Sequence, residues 1–352
     1  MRVVFFSNQF VDSRGHGISR YVRRLYGAMG EVRPDVELVP VTSWREEDIR
    51  DCATLREKAG LQILPWGRYP TALAWAYLRR PKIERWLTGG ADLLHVPNLG
   101  YPVPTSLPCV VTVHDLGPLT HPRLFPRLSR HWMRLGFAHM RRHADAVICV
   151  SQATAEAVRG LSGGDLDGRI RVVHEGVDER FFEEPDRAVL DDVEGLPSDV
   201  PFCLSVGAVS PRKNLLRTIR ALERLKDEIP HHLCLVGGGG WQEGDVFDAV
   251  TRSPVRDRIH RLGYVSDEQL QALYRRAEVF LYPSLFEGFG LPVLEAMASG
   301  CAVITSNVSS LPEIAGNAAL LVDPTDVDAL AAALRRLVGQ ESLRHDLAVR
   351  GR

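Results

Sequence analysis

The sequence predicts an α/β chain made of two doubly wound, parallel-sheet domains in tandem. Three observations carry that prediction. Short apolar or β-branched runs alternate with longer helical patterns, the order that yields parallel sheets covered by helices on both faces. The alternation restarts near residue 200, after a polar stretch, Glu183 to Asp199, that contains Pro185 and Pro197. The length, 352 residues, corresponds to about two domains at roughly 150 residues each, both large enough for a core.

Taken in order, Val3–Phe6 is the first strand, and Gly15-His16-Gly17 after it opens a helix from about Ile18. Leu38–Val41 is the second strand. Leu93–Val96, Val110–Val113 and Ala146–Val150 come next, with helical stretches between and after them, and Arg169–Val173 closes the first half. The second half begins with Phe202–Val206, a helix from about Asn214, and Leu233–Val236 running into Gly237–Gly240. A helix near 243–252, Ile259–Leu262, a helix from Asp267, Val279–Tyr282 and a helix from about Gly290 follow. Ala302–Thr305, Leu320–Val322 and a long Ala/Leu/Arg helix from Val327 complete the pattern. The domains are read as residues 1–183 and 184–352, with the linker at about 183–199. Two such domains are expected to bring the carboxyl ends of both sheets around one cleft, since ligands of doubly wound sheets bind at those ends.

Composition narrows the class. The chain is 45% hydrophobic and 25% charged, which excludes collagen-like, coiled-coil and wholly disordered chains. No apolar run approaches the roughly 20 residues of a membrane span. The N-terminus turns polar at Ser7-Asn8, too soon for a signal peptide. The expected location is cytoplasmic, with peripheral contact at the inner face of the plasma membrane. The formal charge of −1 hides a division. Residues 1–183 carry 25 Lys+Arg and 20 Asp+Glu, whereas residues 184–352 carry 18 and 24. Six cysteines occur, none in a C-x-x-C pair, which excludes a zinc ribbon or thioredoxin motif. Four of them fall in strand runs and read as small core residues of a reducing compartment.

The densest chemical constellation runs from Ser284 to Glu295. Gly288 and Gly290 let the backbone turn tightly and approach a ligand. Pro292 sits near a helix start, where its missing N–H costs nothing. The first-turn N–H groups and the helix dipole favour an anion there. Glu287 at the loop mouth and Glu295 about a turn inside the helix place two acceptors on either side of that anion, each suited to a hydroxyl-rich group. A second anion feature is Arg212-Lys213, at the helix start after the first strand of the second half. Only four of the basic residues are Lys, so this pair stands out. Two cations there would stabilise charge on a departing diphosphate.

The first half offers less. His114 ends the strand Val110–Val113, so it is expected to emerge at the cleft, or to pack as a strand-end histidine under the loop. Asp115 reads equally as a turn former. Gly15 and Gly17 reads either as a second helix N-terminus facing phosphate or as an ordinary glycine loop. Two stretches mix base and aromatic, Trp66–Trp86 and His121–His143. They suit anionic lipid, an anionic acceptor, or a solvated arginine face over an aromatic core. Asp165-Leu166-Asp167 has the letters of a D-x-D metal motif, but its Gly-rich setting reads as a surface turn.

Glu287–Glu295 with Arg212-Lys213 resembles the donor site of the retaining glycosyltransferases of family 4, which have the two-domain GT-B fold. Ser210–Asn214, Tyr282–Glu295, Ser306–Glu313 and Leu321–Pro324 look like the bacterial mannosyltransferases of polysaccharide and O-antigen assembly within it. Gly17-Ile18-Ser19-Arg20-Tyr21, Val113–Leu116 and His174–Asp178 are similar to the same group, so the resemblance covers nearly the whole chain. It implies that Glu287 binds donor sugar hydroxyls beside the anomeric carbon and that Glu295 holds the ribose. It implies that Arg212, Lys213 and the backbone around Gly288, Phe289, Gly290 and Leu291 contact the diphosphate, and that Tyr264 and Val265 line the base pocket. Many relatives have Arg where this chain has Ala208, so Arg212 is expected to supply that cation. It implies that His114 lies beside the donor sugar, with Gly15, Gly17, Arg20 and Asp115 on the phosphate and acceptor side. The implied partners are GDP-mannose and a glycan or lipid-diphosphate-linked acceptor, with no nucleic acid and neither cofactor nor metal. Relatives continue past a point like Arg352 with a helix that crosses back to the first domain, so that clasp is expected to be short or missing here. Two other readings stand beside this one: a non-catalytic nucleotide-sugar-binding subunit, and an NAD(P)-dependent oxidoreductase suggested by Gly237–Gly240, which lacks a complete G-x-G-x-x-G.

Overall fold

The computed structural model describes residues 1–352 apart from 12–16, 51, 199 and 242. The chain divides into two compact units, Met1–Glu175 and Gly176–Arg352. In the first, β1 (Arg2–Phe6), β2 (Glu37–Thr42), β3 (Gln62–Ile63), β4 (Leu93–Val96), β5 (Cys109–Val113), β6 (Ala146–Cys149) and β7 (Ile170–Val172) form one sheet. Its order is β3-β2-β1-β4-β5-β6-β7, and every pairing among the described residues is parallel. In the second unit, β8 (Phe202–Val206), β9 (His232–Val236), β10 (Ile259–Gly263), β11 (Val279–Tyr282), β12 (Ala302–Ser306) and β13 (Ala319–Val322) follow the order β10-β9-β8-β11-β12-β13.

Both sheets wind outward from their first strand and then return to its other side. The winding direction reverses between β1 and β4 in one unit and between β8 and β11 in the other. Such a switch point opens a crevice at the carboxyl ends of the two strands. In the second unit those ends are Val206 and Tyr282, so the loops carrying Arg212-Lys213 and Glu287 leave adjacent strands.

The strands read as unbroken apolar runs because helices cover both faces. Side chains alternate across each sheet. Phe202 and Leu204 of β8 and Phe280 and Tyr282 of β11 share one core. Cys203, Val279 and Leu281 point into the opposite core. Tyr282 is thereby aimed to the same face as Phe280, with which its ring stacks at 5.5 Å. All six cysteines are buried and free.

Two differences from the sequence reading have physical causes. The division falls at Glu175/Gly176, ahead of 183/184. Residues 183–198, expected within a linker, belong to the second unit. Phe181, Leu190 and Val193 are buried in its core, and Gln271 Nε2 donates to the carbonyl of Glu183 at 3.0 Å. Isolated apolar residues in a polar stretch carry no periodicity to reveal that packing. Strand β3, two residues at the sheet edge, is too short to stand out in the sequence.

The glycine run after β9 is explained by close backbone approach. Gly237 has φ of +135°, and a Cβ there would lie 2.2 Å from the carbonyl oxygen of Gly207. A Cβ on Gly240 would lie 2.2 Å from that of Val209, whereas one on Gly238 meets open space. The loops after β8 and β9 run side by side, with Val209 N–H donating to Gly238 at 3.2 Å. Gly237→Ala is expected to cost about 2–4 kcal/mol in denaturant unfolding followed by circular dichroism, and Gly238→Ala less than about 1 kcal/mol.

Candidate functional site

In the second unit the sequence-predicted cations and carboxylate come together. Pro211–Lys213 forms one 3-10 turn after β8, closed by Asn214 in the left-handed region at φ +60°. Asn214 Nδ2 donates to the carbonyls of Pro283 at 2.8 Å and Pro324 at 2.7 Å, tying the turn to the loops after β11 and β13. The N–H of Leu285 donates to the carbonyl of Arg212 at 2.8 Å. That tie sets Lys213 Nζ 2.8 Å from Glu287 Oε1. Arg212 Nη1 donates to Glu287 Oε2 and to the carbonyl of Phe286 at 3.2 Å. Lys213 also donates to the hydroxyl of Tyr282, and its Nζ lies 4.3 Å from the centre of that ring. Glu287 is 8% exposed and Lys213 is 9% exposed.

The charges respond to this burial. Burial alone would raise the carboxyl of Glu287, and it is the largest single influence. The charges of Arg212 and Lys213 together outweigh it and hold the group down at about 2. Burial, then the charge of Arg212, lower the Lys213 ammonium to about 8 against the opposing pull of Glu287. Burial and the Glu287 charge push the Tyr282 phenol well up, so it stays protonated. The cluster holds two cations against one anion at neutral pH.

The backbone around Glu287 is fixed from the loop after β12. The N–H of Glu287 donates to Ser309 Oγ at 3.1 Å, and Ser310 Oγ donates to the carbonyls of Glu287, at 3.1 Å, and Phe289. Gly290 takes φ +125° ahead of the helix Leu291–Ala298, and a Cβ there would come 3.0 Å from Leu311. Glu295 lies inside that helix, buried, and accepts from the Tyr274 hydroxyl at 3.1 Å. Gly207, φ +140°, leaves the room Lys213 occupies: a Cβ would lie 2.8 Å from Lys213 Cε.

A cavity of about 320 Å³ opens beside Lys213 at the carboxyl ends of β8, β9 and β10. Gly207, Gly238, Glu243, Phe247, Arg261 and Gly263 line it, and the Arg261 guanidinium lies 3.5 Å from the centre of the Phe247 ring. Tyr264 and Val265 are not among the lining residues. Tyr264 is exposed, and the side chain of Val265 is buried in the core.

In the first unit, His114 follows β5. Its Nδ1 lies 2.7 Å from Glu175 Oε1 and its Nε2 lies 2.9 Å from the carbonyl oxygen of Pro97. A carbonyl only accepts, so Nε2 is the donor to Pro97. Tyr21 packs edge-on against the imidazole at 4.6 Å, and burial pushes its phenol up to about 12. Asp115 Oδ1 accepts the N–H of Gly117 at 2.8 Å, the turn-forming role. Gly17 is the first residue of the helix Gly17–Val32, and a Cβ on it meets open space. Arg20 is half-buried in that helix, and Gly15 lies outside the described residues. Asp165 pairs with Arg141 through Nε at 2.7 Å.

Glu175, Tyr282, Tyr274, Ser309 and Ser310 were not singled out by residue type. Glu175 and the two serines sit in motifs visible in the sequence, but only folding shows what they hold.

Comparison with known proteins divides the chain between residues 181 and 186, around the 183/184 boundary read from the sequence. A family model for glycosyl transferases group 1 matches residues 186–352, and one for glycosyltransferase family 4 matches residues 15–181. The chain is 32% identical over 296 residues to the O-antigen chain mannosyltransferase B of Escherichia coli, spanning 82% of this chain and 77% of that one. It is 32% identical to the MMP alpha-(1->4)-mannosyltransferase of Mycolicibacterium hassiacum, across 71% of this chain and 59% of that one. Among solved structures, the sucrose-phosphate synthase of Thermosynechococcus elongatus superposes with a TM-score of 0.78 at 22% identity, covering 100% of this chain and 93% of that one. Anabaena HepE in complex with UDP and glucose gives 0.75 at 18% identity with the same coverage.

The buried cluster predicts a pH signature. The folded carboxyl of Glu287 lies below its ordinary value near 4.5, so its stabilisation is complete above that value. It is lost as pH falls from there toward about 2. Glu287→Gln is expected to flatten this limb of the stability profile, read by urea unfolding at several pH values. Glu287→Ala, which strands two cations, should cost about 3–5 kcal/mol at neutral pH.

Proposed function

The chain belongs to the group 1, family 4 glycosyltransferases, and we propose that it moves mannose from GDP-mannose to a hydroxyl of a glycan or lipid-diphosphate-linked glycan. The transfer proceeds with retention of configuration and without a metal, in the synthesis of a cell-surface polysaccharide. The observation that carries this reading is the burial of Glu287 between Arg212 and Lys213 at the ends of the two strands flanking the switch point.

The chemistry asks for positive charge where the leaving diphosphate develops its own. The acceptor hydroxyl attacks the face from which the diphosphate departs, and a diphosphate oxygen takes the hydroxyl proton. A protein base is not needed in that step; charge stabilisation is. Arg212 is charged at any working pH, and Lys213 is charged below about 8. Both are already oriented, so little reorganisation accompanies the reaction. Glu287 keeps its carboxylate for sugar hydroxyls, and Glu295 offers a buried acceptor to the ribose. The cavity beside Lys213 takes the base, with Glu243 and Arg261 at its wall. His114 is held by Glu175 and Pro97 at the carboxyl end of β5 in the first unit.

The names of the Escherichia coli and Mycolicibacterium hassiacum relatives support mannose. A UDP-sugar donor is the second reading, favoured by the HepE structures with UDP. No helix of the described residues is long and apolar enough to cross a membrane.

A panel of radiolabelled nucleotide sugars is expected to label acceptor only from GDP-mannose, at a rate unchanged by a chelator. Label arriving only from a UDP sugar would reject the donor. Lys213→Ala and Glu287→Gln should each lower kcat by roughly 10²-fold or more. Because Lys213 must be charged, kcat/KM should fall as pH rises through about 8. Lys213→Arg should move that limb to higher pH.

A further inference from the structure

A second cavity, of about 400 Å³, lies wholly in the first unit. It forms where the chain passes from β2 to β3 at the edge of the sheet. Arg45, Glu46, Glu47, Arg56, Trp66 and Gly67 give it its polar and aromatic lining. The 3-10 turn Glu46–Asp48 and the helix Cys52–Ala59 lie in that connection, and Trp66 and Gly67 follow β3. The volume falls in the roughly 300–1,000 Å³ range of small-ligand sites.

Trp66 is the unusual member. It is 46% exposed, yet its ring is held. Its centre lies 5.0 Å from that of Trp86, with the planes at 72°. Trp86 lies 6.2 Å from Trp75, which is fully buried and donates from Nε1 to the carbonyl of Pro81 at 3.0 Å. Trp66 is thus the outer member of an aromatic column rooted in the core. A ring already held in place loses little freedom when a partner covers it.

The charged lining, among the described residues, is two arginines and two glutamates. Arg56 Nη1 lies 2.7 Å from Glu46 Oε1, and Arg45 Nη1 lies 3.4 Å from Glu47 Oε1. All four side chains are between 46% and 74% exposed. Such pairs contribute little to stability, and each keeps donors and lone pairs for a ligand. Gly67, at φ +76°, makes room for Arg45: a Cβ there would lie 3.1 Å from Arg45 Nε. An anion in the cavity would meet the carboxylates, and a cation would meet the guanidiniums. A neutral polyol can use both. The indole beside them asks for a molecule with an apolar C–H face as well as hydroxyls, which is the make-up of a pyranose ring.

We propose that this cavity binds a neutral oligosaccharide, with one pyranose against Trp66 and its hydroxyls shared between the Arg45–Glu47 and Arg56–Glu46 pairs. The site is separate from the crevice of this sheet. That crevice opens between β1 and β4, whereas β3 lies beyond β2 at the outer edge, about 10 Å from β1 at the usual strand spacing. A sugar held here is not one that reacts. It belongs to a stretch of glycan further from the reacting end, and holding it raises affinity for long chains without changing the chemical step. This kinetic consequence rests on the transfer reading above; the binding itself does not.

The test is isothermal titration calorimetry of the full chain with two neutral tetrasaccharides, α-linked mannotetraose and maltotetraose, and separately with GDP. At least one tetrasaccharide is expected to bind, and Trp66→Ala to weaken that binding by about tenfold or more. Trp66→Phe should recover part of the loss. Arg56→Gln with Glu46→Gln, an exposed pair whose removal leaves the thermal melt in place, should weaken it about fivefold. GDP affinity should be the same in every variant as in the parent chain. Absence of binding by both tetrasaccharides would overturn the proposal, as would parent-like affinity in Trp66→Ala. A parent chain that binds tetrasaccharide but not GDP would uphold this site and count against the donor reading alone, so the two fail separately.

Discussion

A carboxylate buried between two cations is the constraint on which the second unit is organised. Glu287 could not stay ionised at 8% exposure without Arg212 and Lys213. Lys213 in turn needs Glu287 and the Tyr282 hydroxyl for its hydrogens. Removing any one leaves a buried charge unmatched, which is why such clusters are built complete or not at all. The geometry comes from turns that do nothing chemical. Asn214 in the left-handed region aims the basic pair, Gly207 leaves space for the lysine, and Ser309 with Ser310 clamps the glutamate backbone.

The cluster also sets two cations close together in a half that is acidic overall. Residues 184–352 carry more acid than base overall, yet the switch point holds an excess of one positive charge within a few ångströms. A phosphate senses that local excess more strongly than exposed acids beyond the screening length of about 8 Å. The topology places it: β8 and β11 are neighbours in the sheet although β9 and β10 intervene in the chain. Two loops distant in sequence deliver opposite charges to one point. Glu295, buried on the next helix with Tyr274, adds a second acceptor.

Much of this was legible beforehand, and the rest was hidden for identifiable reasons. The long strands showed because burial on both faces demands unbroken apolar runs, as in Val279–Tyr282. Glu287, Glu295, Arg212 and Lys213 showed because glycine, proline and charge together mark a strand-to-helix turn. Residues that act by reaching across the fold did not show. Glu175 stands 61 positions from His114, and Ser309 stands 22 from Glu287. Neither residue type nor local spacing announces such a partner. The segment 183–199 reads as polar because Leu190 and Val193 are isolated among polar neighbours, though both are core residues. Of the stretch 263–265, Gly263 lines the cavity beside Lys213.

The two halves use positive charge in opposite ways. In the second unit two cations are buried, matched to one carboxylate and fixed in direction. Salt reaches them poorly, so their hold on a diphosphate should depend on geometry more than on ionic strength. In the first unit Arg79, Arg80, Arg127 and Arg134 are exposed. Their attraction is long-ranged, non-directional and screened by salt. A buried pair suits one small ligand that must be aligned to within a fraction of an ångström for group transfer.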